Sequence, residues 1–213
     1  MFVDRIQEMA LLNRLFSSSK AELVLLYGRR RVGKSRLLLE AVKGKNAVYF
    51  LADRSKNVLA SLARQSGDAF VRFASWDDFF EYLVSCKYDV VVIDEFQYLC
   101  DVEKAWPTIF QRWWEKLREN NKKIVLSGSI ISSIYKIARG YRSALYGRQT
   151  AELKITALDF VFLQEFFPKY SFEDCLKTYF VLGGVPRYLE EFDSDKAFEE
   201  NVLNKLLEKT SFL

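Results

Sequence analysis

The stretch that decides the fold is LVLLY at 23–27, then Gly28-Arg29-Arg30-Arg31-Val32-Gly33-Lys34-Ser35, then Arg36 and the apolar set Leu37, Leu38, Ala41 and Val42. A short continuous apolar run that stops at glycine reads as a strand buried on both faces. The apolar set after Lys34 has helical spacing, so a helix opens inside the loop. The eight residues between satisfy G-x-x-x-x-G-K-[ST] at every fixed position. With glycine near 7% of residues, a chance match in a chain this long is on the order of one in a hundred. Strand, loop and helix in that order is the context a phosphate-binding loop requires. Glycines let backbone N–H groups turn inward around a polyphosphate, and the helix N-terminus adds its partial positive charge. Gly28 through Arg36 are therefore assigned to a nucleotide, with Lys34 on the β and γ phosphates and the Ser35 hydroxyl on Mg²⁺.

Moving outward, residues 47–51 (AVYFL) predict a second buried strand, and Ser55 is expected to cap a helix through Val58, Leu59, Leu62 and Ala63 that Gly67 ends. Ser75-x-x-Asp78 has the form of a capping box ahead of Phe79, Phe80, Tyr82 and Leu83, predicting a helix to about Ser85. Residues 90–93 form an all-apolar strand, and Trp106, Ile109, Phe110, Trp113, Trp114 and Leu117 recur at helical spacing with Pro107 in the first turn. Residues 124–127 and 150–155 supply two further strands. Strands alternating with helices at this spacing favour βαβ crossovers and a parallel sheet covered on both faces, with ligands at the strands' C-terminal ends. After residue 157 the alternation stops, and 160–166, 172–182 behind Ser171-x-x-Asp174, and 197–208 all read as helix. The expected organisation is an α/β nucleotide-binding domain over 1–156 with a five-stranded sheet, and a small helical lid over 157–213 joined through Gly183-Gly184-Val185-Pro186.

The second chemical element is Val90-Val91-Val92-Ile93-Asp94-Glu95. A strand that delivers an acid at its tip places Asp94 where it can hold Mg²⁺ and its water, and Glu95 beside a γ-phosphate can orient or deprotonate the attacking water. Ser129, after Ser127-Gly128, comes level with that pair if the two strands are neighbours, leaving a γ-phosphate contact and a plain turn both open. Arg148 and Arg187 lie at element boundaries, where a guanidinium can reach phosphate or simply face water. The three tryptophans on one helical stripe read as core or interface rather than as base-stacking platforms.

Composition narrows the chemistry further. The 213 residues contain no His, which removes His triads, His general bases and His metal ligands. Cys86, Cys100 and Cys175 are odd in number and form no C-x-x-C, so neither a disulfide framework nor a structural zinc is expected, and a reducing, cytoplasmic setting follows. No apolar run approaches the roughly 18 residues of a membrane span. A net charge of +4 is below the clustered excess that by itself indicates a nucleic-acid partner.

Taken together, these residues resemble the prokaryotic, largely archaeal, AAA+-like P-loop ATPases related to the STAND switch proteins and to Orc/Cdc6-type initiators. Phe2-Val3-Asp4-Arg5 with Glu8 and Leu11 is similar to the family's F-x-x-R-x-x-E-x-x-L stretch, which implies that Phe2, Val3 and Arg5 lie near the adenine. Asp94-Glu95-Phe96-Gln97-Tyr98-Leu99 resembles its extended Walker B, and Ser127-Gly128-Ser129 its sensor-1 strand end, implying that Ser129 senses the γ-phosphate. Leu145-Tyr146-Gly147-Arg148 is similar to a family segment whose Arg is a candidate arginine finger. Gly183-Gly184-Val185-Pro186 resembles the lid element that lies against the base, with Pro186 at the nucleotide and Arg187 as a sensor-2 candidate. The resemblance implies ATP or ADP with Mg²⁺ as cofactors, ATP hydrolysis coupled to the lid or a partner, and a homo-oligomer or protein partner. A slow-turnover STAND-like binding switch is the alternative, ahead of a small-molecule kinase. Relatives generally continue into a winged-helix domain and sometimes a nuclease-like one. This chain stops at Leu213, so a short form and a fragment are both open, and any nucleic-acid contact is left to a domain beyond it.

Overall fold

A computed structural model describes residues 3–129 and 145–208. The chain divides into two compact units, one built from Gln7–Arg29 and Lys34–Lys154, the other from Met1–Ile6, Arg30–Gly33 and Ile155–Leu213. The first contains the sheet. Its strands are β1 (Glu22–Gly28), β2 (Ala47–Leu51), β3 (Val90–Asp94), β4 (Lys123–Gly128) and β5 (Ala151–Ile155), in the order β2-β3-β4-β1-β5. The pairings β2–β3, β3–β4 and β4–β1 are all parallel, and β3 and β4 are buried along their whole length. Such strands can be apolar on both sides because helices cover both faces.

Alternation along the strands separates the two faces. Leu23, Leu25, Val48, Phe50, Val91, Ile93, Ile124 and Leu126 point to one side, where α3 (Val58–Gln65), α4 (Trp76–Ser85) and α6 (Trp106–Glu119) contribute Leu62, Phe79, Phe80, Trp106, Phe110 and Trp114. The edge-to-face contacts of Phe79 with Phe50 and Phe73, and of Phe80 with Phe110, fill this layer. Trp106 and Trp114 are therefore core, while Trp113 packs at the margin and donates its indole N–H to Asp77. The other face belongs to α2 (Lys34–Val42), which buries Leu37, Leu38 and Ala41 and contacts β1 and β3. Val92, Asp94, Val125 and Ser127 alternate onto that side, as do Tyr49 and Leu51.

The capping box at Ser75 forms as expected: the Ser75 hydroxyl accepts from the Asp78 amide, and the Asp78 carboxylate accepts from the Ser75 amide at 3.0 Å. Ser55 does not cap α3. The N-cap is Asn57, without a side-chain bond, because the Ser55 amide turns back to donate to Asp53 at 2.8 Å. Two helices of the structure, α1 (Ile6–Phe16) and α5 (Gln97–Val102), are absent from the sequence-based reading.

The second unit has its own core of Leu163, Phe167, Tyr170, Cys175, Leu182, Leu189 and Phe192. Helix Phe172–Leu182 is capped by Ser171, whose hydroxyl accepts from the Asp174 amide, and ends at Gly183. The buried Asn201 side chain bonds to Tyr170, to Asp193 N–H and to Asp193 C=O, all at 2.8 Å, so this polar group is fully used. The helix expected over 197–208 is two pieces: an α-helix Phe198–Val202, then a wider π-type turn Leu203–Leu207. Among the described residues no helix is long and apolar enough to cross a membrane.

Candidate nucleotide site

Parallel register brings the C-terminal ends of β1, β3 and β4 together, and the candidate residues of the sheet unit converge there. The first turn of α2 places the Ser35 hydroxyl 2.6 Å from Asp94 Oδ2, to which it donates. Lys34 is buried and its Nζ donates to the Arg29 carbonyl at 3.0 Å, a bond that curls the ammonium back over the loop. Asp94 has no exposed surface. A buried carboxylate needs donors, and among the described residues it has three: Ser35, the Tyr49 phenol at 2.6 Å on Oδ2, and the Glu95 amide at 3.0 Å on Oδ1. Burial first, and the Asp94 charge second, push the Tyr49 phenol far above its ordinary range, so Tyr49 is a donor.

Glu95 has a positive φ of 55°, a left-handed conformation that a side chain bearing Cβ adopts at a cost of roughly 1–2 kcal/mol. The strain turns the chain sharply after Asp94 and is paired with a constrained carboxylate. Its Oε2 accepts from the Ser129 backbone amide at 3.2 Å, the Ser129 hydroxyl at 2.7 Å and the Gln97 side-chain amide. Ser129 is thus level with the acid pair because β3 and β4 are neighbours. Sequence reasoning misses Tyr49 altogether. Gln97 enters it only as part of a family-like segment, although the position two residues after Glu95 is a usable signal.

Oxygen chemistry at this point suits a hard divalent cation. The donor set is a serine hydroxyl and a buried carboxylate, and Mg²⁺ is characteristically held by one or two protein oxygens with phosphates and waters completing its shell. Ser127, one position past the Ile93–Leu126 pair and on the same sheet face as Asp94, adds a buried hydroxyl with no hydrogen-bond partner among the described residues. Orphan hydroxyls of this kind are commonly satisfied by ordered water. No cluster of three His, Cys, Asp or Glu exists among the described residues, so a protein-only metal cage is not what this site offers.

The outer turn of the loop, Arg30–Gly33, belongs to the second unit. Arg31 and Gly33 both have positive φ, 70° and 94°. Arg5 is buried and its guanidinium donates to the carbonyls of Val32 at 3.2 Å and Thr156 at 2.6 Å. The Arg31 guanidinium lies 5.4 Å from the centre of the Tyr188 ring, and the Arg187 amide reaches the Arg31 carbonyl at 3.5 Å. A Cβ on Gly33 would meet Pro186 at 3.9 Å. Val3 is buried in the same unit. Arg5 therefore braces the loop backbone, and Pro186 lies against the loop. The Arg187 side chain pairs with Glu191 at 2.7 Å and more distantly with Glu190. Arg29, Arg30 and Arg36 are exposed. Phe2 lies outside the described residues.

Arg148 is in a different place. Its amide closes the Leu145–Arg148 turn, and two residues later Thr150 bonds to Leu23 at the start of β1. Leu23 is five residues, about 16 Å of strand, upstream of Gly28. Arg148 accordingly enters the sheet at the end of β1 opposite the phosphate loop.

A phosphate loop after β1 and a buried acid at the tip of β3, joined through one hydroxyl on one face of a parallel sheet, are the arrangement of a P-loop ATPase. Residues 2–192 match the family described as an ATPase domain predominantly from Archaea, and the chain belongs to that family. It is 36% identical over 196 residues to an uncharacterized protein of Methanocaldococcus jannaschii, an alignment covering 90% of this chain and 44% of that one. The chain thus spans less than half the length of this relative. Among solved structures it is similar to the Walker-type ATPase of Pyrococcus abyssi, with a TM-score of 0.71 at 22% identity over 94% of this chain and 71% of that one. It is also similar to the Aeropyrum pernix ORC2 protein in its ADPNP–ADP complexes, with a TM-score of 0.58 at 17% identity over 76% and 51% of the two chains. Both likenesses concern the fold.

Proposed function

We propose that the chain is a Mg²⁺-dependent ATPase that binds and hydrolyses ATP and passes the state of the γ-phosphate to its C-terminal helical unit. The 2.6 Å bond between Ser35 and Asp94 carries the reading, because it joins the phosphate-loop helix to the acidic strand tip. Loop amides and Lys34 would neutralise the β and γ phosphates, with Ser35 and Asp94 holding the cation. Bound there, Mg²⁺ supplies Lewis-acid stabilisation of the charge that develops on the phosphoryl oxygens. Glu95, oriented by Ser129 and Gln97, takes a proton from the water whose oxygen bonds to the γ-phosphorus as the bond to the bridging oxygen breaks. Coupling to the helical unit is supported by the membership of the loop's outer turn, Arg30–Gly33, in that unit, within which Arg5 and Arg187 bond to it. A finger role for Arg148 falls to a neighbouring copy, since its own loop is at the other end of β1. Three unpaired cysteines support a reducing, cytoplasmic setting.

Glu95→Gln tests the reading. Retained nucleotide binding with phosphate release reduced about 10²- to 10⁴-fold is expected; unchanged release would remove Glu95 from catalysis. The remote Arg148 favours a second reading, a nucleotide-loaded switch with little turnover as a single copy. Turnover per chain that rises steeply with protein concentration supports the ATPase, and turnover that stays near zero at every concentration supports the switch.

A further inference from the structure

Counting lone pairs on Asp94 exposes an asymmetry. A carboxylate offers about two acceptor positions on each oxygen. Oδ2 accepts from two hydroxyls, Ser35 and Tyr49, both at 2.6 Å, and is filled. Among the described residues Oδ1 accepts the Glu95 amide alone, at 3.0 Å, and keeps one position. Tyr49 reaches this point from the edge strand. Its register partner is Val92, and its phenol extends the length of two strand residues, about 6.6 Å, to Asp94 on the same face.

Resting on the ATPase reading, we infer that Tyr49 is a positioning residue for the magnesium site: it saturates Oδ2 and fixes the carboxylate so that Oδ1 is the oxygen presented to the cation's water. Ser35 can offer its oxygen lone pair to a cation while its hydrogen stays on Oδ2, but with this bond and the longer Glu95 amide bond alone the carboxylate keeps some freedom to tilt. The phenol, carried on a paired strand, removes that freedom. Tyr49 touches neither nucleotide nor water in this role and acts only through Asp94.

Tyr49→Phe deletes the hydroxyl and keeps the ring. Binding of a fluorescent ADP analogue is measured in EDTA and across a MgCl₂ titration, and Mn²⁺ binding to the ADP complex is followed by electron paramagnetic resonance. In the variant, affinity in EDTA should match the unsubstituted chain, while the half-saturating Mg²⁺ and Mn²⁺ concentrations should rise about tenfold, as for loss of one hydrogen bond to a charged group. A role confined to packing would lower thermal stability and leave metal half-saturation unchanged, and that result overturns the inference. If the unsubstituted chain binds the analogue no better with Mg²⁺ than in EDTA, the ATPase reading falls, and the role of Tyr49 with it. Should the phenylalanine variant fold poorly, Tyr49→Leu gives the same comparison.

Discussion

Gly184→Ala is a small change with a large expected effect. A Cβ at this position would lie 1.8 Å from the Leu158 carbonyl oxygen and 2.8 Å from its carbon. Carbon and oxygen are comfortable at about 3.4 Å, so the two backbones must part by about 1.6 Å. Backbone cannot swing aside as a side chain can, and the separation also breaks the 2.7 Å bond from the Leu158 amide to the Gly184 carbonyl. Overpacking of about 1–3 kcal/mol plus about 1 kcal/mol for the hydrogen bond gives roughly 2–4 kcal/mol. Amide hydrogen exchange is the assay: the Leu158 N–H should exchange about 30- to 1000-fold faster, and the denaturation midpoint should fall. Pro186 and Arg187, which follow on the same segment, would shift with it, so nucleotide affinity should fall too. Unaltered Leu158 protection in a folded alanine variant would refute the claim that close approach is why glycine occupies this position. Gly183 has a separate reason to be glycine, since φ 64° and ψ −165° lie in a region that residues with Cβ avoid.

Two further outcomes follow from particular contacts. Lys34→Ala should reduce ATP affinity about a hundredfold or more by calorimetric titration, as removal of a charge from a phosphate contact does, with thermal stability in the absence of nucleotide only modestly changed. Ser75→Ala should lower stability by about 1 kcal/mol in urea denaturation. The Ser75 hydroxyl is the first cause holding the Asp78 carboxyl below its usual range. A carboxyl lowered on folding contributes stability that is present above its unfolded value, about pH 4, and is lost as pH falls through the lower folded value; the alanine variant should show a weaker loss across that acid range.

Much of the fold is legible because its signals are strong and local. All-apolar runs such as 90–93 and the six-residue stripe from Trp106 to Leu117 have one plausible burial, and the Ser75 and Ser171 caps use ordinary hydrogen-bond chemistry. Short α5 has too few residues for periodicity to register. Ser55 misleads because a serine beside an aspartate can close a turn as readily as it can cap a helix. The placement of Lys34, Ser35, Asp94, Glu95 and Ser129 at strand ends is legible from the motifs and the strand order. Tyr49 is not, since inside an apolar strand a tyrosine reads as core until register sets it diagonally behind an acid. Arg5, placed near the adenine by the family resemblance alone, bonds to backbone carbonyls, and Arg187, the sensor-2 candidate, pairs with Glu191.

A crystal structure with a non-hydrolysable ATP analogue and MgCl₂ bears most directly on whether loop and acid serve one ligand. The expected density has the β and γ phosphates on the amides of residues 28–35, the cation at Ser35, and Asp94 Oδ1 facing one of its waters. Nucleotide bound elsewhere, with the loop bare and no cation at Ser35, would contradict it.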